Sequence, residues 1–227
     1  MIDIECAKIR AKMPSFKRKV QVAKEIIKNG LSLCDKTIVS CSFGKDSAVL
    51  LHLVMQEKPD IEARFISWDE TNLIHNFNDV IAEWKKLNAN IKVINLSRLT
   101  LDEKVKDRFD KLTQEANGSF VGLRIDESKG RRITLLKDGV IYKNKQGFYR
   151  ICPLAYFSTE DIAAYIYLHK LPTLQIYKIE GFQERTTSRI PRANFGIRQE
   201  MLQRLKQRDL QAFQKLQEIY PEVSEYV

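Results

Sequence analysis

Two apolar periodicities alternate along this chain, and the alternation predicts strands and helices in turn. Val20, Ala23, Ile26 and Ile27 recur at helical spacing, which predicts a helix over 15–29 that stops at Gly30. Residues 37–41 form a short β-prone run, and after Ser42-Phe43-Gly44-Lys45-Asp46-Ser47 the residues Val49, Leu50, Leu53 and Val54 predict a helix to Glu57, closed by Pro59. A strand over 61–67, a helix over 76–87 built on Phe77, Val80, Ile81 and Trp84, and a strand over 91–96 follow. A charged helical stretch over 101–116 and a strand over 120–124 complete the series. Strands alternating with helices imply an α/β fold, a doubly wound and mostly parallel sheet with helices on both faces.

The texture then changes. Apolar runs at 133–136 and 140–142 flank Lys137-Asp138-Gly139, which predicts a small hairpin turning at Asp-Gly. Ser158, with Thr159, Glu160 and Asp161 behind it, predicts a capped helix to His169, ended by Leu171-Pro172. Residues 178–196 read as a basic loop, and 197–219 as one amphipathic helix with Ile197, Met201, Leu205, Phe213 and Leu216 on one side. The expected organisation is a helical segment over 1–36, a nucleotide-binding core over 37–177 and a basic loop with a helical tail over 178–227.

Composition narrows the class. The chain has 227 residues, 44% of them hydrophobic, enough for a buried core. No apolar run approaches the roughly 18 residues of a membrane span, and the N-terminus has no secretory pattern, so a cytoplasmic location without a membrane partner is expected. Cys6, Cys34, Cys41 and Cys152 form no C-x-x-C pair, so neither a metal site of cysteines nor an iron–sulfur cluster is expected. Cys152, before Pro153, is a candidate persulfide carrier, with buried packing as the simpler reading. The net charge of +9 suits a polyanion, although a solvated basic surface explains any single cluster equally well. The clusters are Lys17-Arg18-Lys19, Lys129-Gly130-Arg131-Arg132, and a spread from Arg185 through Arg189, Arg192, Arg198 and Arg204 to Arg208.

The candidate chemistry sits at 42–47. A strand delivers the chain to a tight turn, Gly44 permits a backbone that a side chain would block, and the first amides of the next helix point at one spot. Ser42 and Ser47 add hydroxyls and Lys45 adds charge; Asp46 either caps the helix or helps hold a phosphate-bound Mg²⁺. These residues resemble the S-G-G-x-D-S signature of the PP-loop ATP pyrophosphatases, with Phe43 in place of the first glycine, where a phenylalanine tolerates positive φ badly.

Two further blocks resemble phosphoadenylyl-sulfate reductases and their relatives. Residues 122–132 are similar to a G-x-R-x-x-E-S-x-x-R segment, and residues 151–162 to a P-L-a-x-W-t-x-x-D-V stretch with Phe157 at the tryptophan position. Leu171-Pro172 to Tyr177 matches the family's l-P-x-x-x-L-Y ending. The resemblance spans about 37–180 and implies an adenine nucleotide alpha hydrolase-like fold binding ATP, or adenylyl sulfate or its 3′-phosphorylated form. It implies that Ser40, Ser42, Phe43, Gly44, Lys45, Asp46 and Ser47 line the nucleotide with Gly122, Arg124, Glu127, Ser128, Arg131 and Arg132. Ser67, Trp68 and Asp69 would lie toward the adenine side. Lys45, Asp46, Arg124 and Arg131 are the expected catalytic groups.

The reductases use a cysteine in a C-terminal E-C-G-x-H tail, and this chain has no cysteine after Cys152. The expectation is therefore an ATP pyrophosphatase that adenylates an acceptor, foremost DNA or RNA in a sulfur-modification system of the phosphorothioation kind. A cysteine desulfurase or another sulfur donor is the expected partner, and a homodimer is consistent with the family. Tyr177, Phe182 and Phe195 are candidates for stacking on bases, with packing the simpler role. Alternatives are sulfate assimilation, reductase-like or sulfate adenylyltransferase-like, the latter sharing His52-Leu53 after the loop, and a regulatory nucleotide-binding protein with a degenerate site.

Overall fold

The computed structural model describes residues 4–103, 108–184, 186–192 and 194–227, with Ile4 by its backbone only. The core strands are β1 (Thr37–Ser40), β2 (Glu62–Trp68), β3 (Asn90–Leu96), β4 (Gly118–Phe120), β5 (Ile141–Lys143) and β6 (Tyr149–Ile151). Among the described residues they form one sheet in the order β3-β2-β1-β4-β6-β5, parallel throughout except where β5 runs antiparallel to β6. Side-chain alternation splits β2 between two layers. Ala63 and Phe65 join Val39, Phe120 and Ile151 in the main core, whereas Ile66 and Trp68 pack with Leu96 and Leu112 on the other face.

The main core is closed by α2 (Pro14–Leu33), α3 (Lys45–Glu57), α5 (Phe77–Lys86) and α8 (Thr159–His169), through Ile27, Leu50, Trp84 and Ile162. Each such apolar side chain contributes about 1.5–3 kcal/mol by burial. Trp84 is fully buried and satisfies its indole N–H on the Pro172 carbonyl at 3.2 Å. The opposite face carries α6 (Arg108–Thr113) and α7 (Lys129–Asp138). Helices thus cover both faces, as the periodicity predicts. A further helix, α1 (Ile4–Lys12), precedes α2, and Arg10 and Lys19 each reach the buried Asp161 carboxylate at 2.6 Å. Part of the Lys17-Arg18-Lys19 cluster is therefore a structural ion pair. Asp161 also completes a capping box with Ser158, as expected for the start of α8.

Four expectations about elements need correction. The helix α2 runs through Gly30 instead of stopping there: a Cβ at Gly30 would lie 2.8 Å from the Ile151 side chain, so the glycine marks the crossing of α2 over β6. The predicted hairpin at Asp138-Gly139 is a helix end. Ser128 accepts a hydrogen bond from the Arg131 amide to start α7, and Gly139 terminates it at φ +84°. The antiparallel pair is β5–β6, whose turn is held by the Asn144 side chain accepting from the Gln146 and Phe148 amides at 3.0 Å. The strand expected over 120–124 is β4, ending at Phe120, and the chain beyond it leaves the sheet toward the cavity. Of the helix expected over 101–116, α6 covers the middle, and 104–107 lie outside the described residues.

The tail is also two helices and not one: α10 (Phe195–Arg208) and α11 (Leu210–Ile219), because Asp209 caps the second by accepting from the Ala212 amide at 2.9 Å. A 3₁₀ turn over Pro221–Tyr226 follows. Leu202, Leu205, Phe213, Leu216 and Tyr220 enclose a second core with Ile74 and Leu101. This layer is fastened to the end of β2 by Glu70, which is fully buried. Its carboxylate accepts from the Ile190 amide at 3.1 Å, from the Tyr220 hydroxyl at 3.0 Å and from Arg98.

Candidate functional site: a cavity at the end of β1

The turn after β1 places its residues on two sides. Phe43 adopts φ +51°, the left-handed region that disfavours a bulky side chain, yet its ring is fully buried against Phe65 at a centroid distance of 5.3 Å. The aromatic packing offsets the backbone cost of about 1–2 kcal/mol. The ring points into the core and leaves the cavity clear. Gly44 has an ordinary extended backbone, φ −68° and ψ 164°, so its glycine is needed for space and not for conformation. A Cβ there would meet the Thr186 hydroxyl at 3.2 Å and the Tyr177 hydroxyl at 3.3 Å.

Gly44 caps α3, not Asp46. Ser47 Oγ donates to the Gly44 carbonyl at 3.0 Å and lies 3.2 Å from Ser42 Oγ, so both hydroxyls face one opening. Ser40 Oγ shares a 2.7 Å hydrogen bond with Ser119 Oγ at the edge of the same opening.

From the other side come the residues of 122–131. The backbone of Gly122 packs against the first turn of α3. The buried Arg124 guanidinium places Nε 2.6 Å from Asp46 Oδ1, and its Nη1 bonds Asp126 at 2.8 Å and the Phe157 carbonyl at 3.2 Å. Burial pushes the Asp46 carboxyl above its ordinary value, and the Arg124 and Lys45 charges pull it partly back. Glu127 accepts from the Arg124 amide at 3.0 Å and pairs with Arg131, whose guanidinium is half-exposed.

These groups enclose a cavity of about 420 Å³. Ser40, Ser42, Gly44, Lys45, Asp46, Ser47, Gly122, Arg124, Glu127 and Arg131 line it together. Ser128 acts as the cap of α7, and Arg132 is exposed beyond the lining. Ser67, Trp68 and Asp69 are not brought to this cavity. Asp69 accepts from Ser97 Oγ at 2.7 Å and the Arg98 amide at 3.0 Å, and the Arg98 and Arg189 guanidinium groups lie 5.5 and 5.9 Å from the centre of the buried Trp68 ring. A larger open groove of about 2080 Å³ runs between α5, residues 170–184 and α10, and it contains none of the residues of 40–47.

The strap from Tyr177 to Ile190 was not legible as part of the site. Tyr177 hydroxyl accepts from the Lys45 amide at 3.1 Å and shares a 2.6 Å hydrogen bond with Thr186. Lys45 Nζ donates to the Glu184 carbonyl at 2.8 Å and lies 5.5 Å over the Tyr177 ring. Tyr177 itself stacks on Phe182, and Phe195 packs against Tyr226, so both have partners within the chain. The arginines of the tail are also engaged. Arg198 is buried and bonds Asp102 at 2.9 Å and Tyr226 hydroxyl at 2.5 Å. Arg204 lies by Glu180, Glu184 and Glu200, and Arg208 donates to the Ile74 carbonyl. Arg185 lies outside the described residues. Among the described residues, Arg198, Arg204 and Arg208 are thus engaged within the chain. Cys152 is fully buried, and burial pushes its thiol up to about 12, which leaves it as packing at neutral pH.

The mostly parallel sheet, with its cavity at the strand-to-helix turn of β1, has an adenine nucleotide alpha hydrolase-like fold. The chain belongs to the family of the phosphoadenosine phosphosulfate reductase domain, whose profile matches residues 36–117 and 96–184. It is 29% identical over 163 residues to adenosine 5′-phosphosulfate reductase of Geobacillus thermodenitrificans, covering 61% of this chain and 66% of that protein. The corresponding enzyme of Bacillus mycoides is 26% identical over 162 residues, with the same coverage. The matched segment thus spans just under two thirds of those relatives. The fold is similar to that of phosphoadenylyl-sulfate reductase from Candida auris, solved with phosphate, at a TM-score of 0.52 and 15% identity over 73% of this chain and 90% of that one. NMN synthetase from Francisella tularensis gives the same TM-score at 13% identity over 93% and 95%. Among the described residues no helix is long and apolar enough to cross a membrane.

Proposed function

We propose that this chain is a PP-loop ATP pyrophosphatase that adenylates an acceptor, with nucleic acid, foremost DNA, as the acceptor in sulfur modification. The observation that carries the nucleotide part is the meeting of Ser42, Ser47 and the first turn of α3 with Arg124 and Arg131 in one cavity of about 420 Å³. A helix N-terminus and guanidinium forks both favour phosphate oxygens. An acceptor oxygen attacks the α-phosphorus, the bond to the bridging α–β oxygen breaks, and pyrophosphate leaves with the electron pair. A sulfur donor, such as one charged by a cysteine desulfurase, then displaces AMP. Arg131, half-exposed and held by Glu127, is placed to take charge on the leaving group. Lys45 joins it on leaving the Glu184 carbonyl. The adenine would extend out of the cavity toward the end of β2, where Ser67, Trp68 and Asp69 lie outside the lining, and a homodimer is the proposed assembly.

Mg²⁺ fits here as an ion carried by the nucleotide. Among the described residues no group of three His, Cys, Asp or Glu could hold a metal, whereas Asp46 and Glu127 line the cavity. Magnesium is commonly held by one or two carboxylates plus substrate phosphates, and it would neutralise the phosphate oxygens there.

A second reading takes adenylyl sulfate or its 3′-phosphate as the ligand, favoured by the relatives named adenosine 5′-phosphosulfate reductase. Incubation with ATP and Mg²⁺, with and without DNA or sulfate, and separately with either sulfated nucleotide and a dithiol reductant, separates these readings by product. AMP and pyrophosphate released on addition of DNA support the proposal. Adenylyl sulfate made from sulfate, or sulfite made from a sulfated nucleotide, overturns it in favour of sulfate assimilation. Nucleotide binding with no product would assign a regulatory role.

A further inference from the structure

Arg108, Arg150 and Arg189 lie outside the cavity lining and form no salt bridge among the described residues, although the charge of the buried Glu70 acts on Arg189. They come from α6, from β6 and from the strap, and the packing of α6 brings them side by side. Arg150 lies over the Phe109 ring at 5.4 Å, so it borders Arg108. Leu112, one turn further along α6, packs in the cluster of Trp68, and Arg189 lies over the Trp68 ring at 5.9 Å. Burial, and then the charges of Arg189 and Arg150, lower the pKa of Arg108, as neighbouring cations must. Arg108 is exposed along its side chain while its guanidinium is partly buried, and Arg150 and Arg189 are half-exposed. None of the three lines the cavity, but Arg150 stands in register with Ser119, whose hydroxyl bonds Ser40 on the cavity wall.

We propose that Arg108, Arg150 and Arg189 form a surface that binds the phosphodiester backbone of single-stranded nucleic acid and leads it to the cavity. This rests on the nucleic-acid reading of the acceptor. Three cations spread over three elements, two of them seated on aromatic rings, suit a chain of regularly spaced phosphates. They form no single cradle with backbone amides, as one small anion would require. The tail arginines, by contrast, are occupied by their own acids and carbonyls.

The test measures binding of a fluorescent single-stranded oligodeoxynucleotide by anisotropy across a salt series, for the wild type, R108Q alone, and R108Q/R150Q/R189Q. ATP binding is measured on the same samples. The triple variant is expected to bind the oligonucleotide at least tenfold more weakly, with the log–log salt slope reduced by about 2, while ATP affinity stays unchanged. R108Q, at an exposed position of α6, is expected to show part of the loss even if the triple variant is unstable. Unchanged oligonucleotide affinity in both variants, no oligonucleotide binding by the wild type, or an equal loss of ATP affinity would overturn the surface. DNA-stimulated AMP release that persists unaltered in both variants would overturn the surface and leave the acceptor reading standing. Arginine-dependent DNA binding without any AMP release would do the reverse.

Discussion

Asp46 Oδ1 lies 2.6 Å from Arg124 Nε, yet neither atom completes a hydrogen bond, so the two charges neutralise each other without aligned geometry. The pair joins the first turn of α3 to the loop after β4, and Arg124 continues to Phe157 before α8. The two halves of the cavity are thus coupled by one buried guanidinium. A misaligned pair at a cavity wall is free to redirect its donors to an incoming phosphate, at the cost of a weaker resting contact.

Arg124→Ala is expected to destabilise the fold by about 3 kcal/mol, because it leaves the largely buried Asp46 with only the Lys45 ammonium, 3.8 Å away. Asp46→Asn keeps the shape and is expected to retain most of the stability while AMP release falls at least tenfold. Chemical denaturation beside a product assay separates the two; an Arg124→Ala protein as stable as wild type would contradict the coupling.

Phe43→Gly removes the left-handed strain of about 1–2 kcal/mol but also a buried aromatic ring, whose loss costs about 3–5 kcal/mol. Net destabilisation of about 2 kcal/mol is expected, with nucleotide affinity unchanged since the ring faces the core. A variant more stable than wild type would show that the ring's packing is not what holds the turn.

Gly30→Ala improves helix propensity by about 1 kcal/mol, yet its methyl would press on Ile151, for which overpacking costs about 1–3 kcal/mol. The melting temperature should fall, and Gly30→Ala should cost less in an Ile151→Ala background, which lacks the Cγ1, Cγ2 and Cδ1 atoms that the new methyl meets. A rise on Gly30→Ala alone would refute the close crossing of α2 over β6.

Burial lowers His52 from 6.5 to about 4, helped by His169 and Lys24, and burial with Arg208 lowers His75 likewise to about 4. Between these values the unfolded chain binds more protons than the folded one, so stability rises with pH there. The contribution is present above about pH 6.5 and is lost as pH falls toward 4. Melting temperatures measured across that window should drop, and the drop should be smaller in H52Q/H75Q. Equal slopes for the two proteins would contradict this assignment.

Local signals in the sequence proved sound wherever one element decided the outcome. Ser158 and Asp161 cap α8 as a four-residue pattern requires, and 42–47 reads as strand, turn and helix from its own neighbours. Asp138-Gly139 misled because a positive φ serves a hairpin and a helix end alike, and Ser128, ten residues upstream, decides between them. The tail read as one helix because Asp209 breaks the backbone without interrupting the apolar stripe. Contacts between distant segments left no trace in spacing. Neither the Tyr177 hydroxyl on the Lys45 amide nor the Glu70 carboxylate on the Ile190 amide follows from any periodicity. The same holds for Phe43, whose partner Phe65 is supplied by the neighbouring strand.

Calorimetric titration of ATP into the wild type and into Ser47→Ala/Arg131→Gln tests the central claim most directly. Both substituted groups face the cavity, and neither is part of the hydrophobic core. The account predicts saturable binding by the wild type and at least a tenfold weaker affinity in the variant at an unchanged melting temperature. Equal affinity in the two proteins would place the nucleotide elsewhere on the molecule.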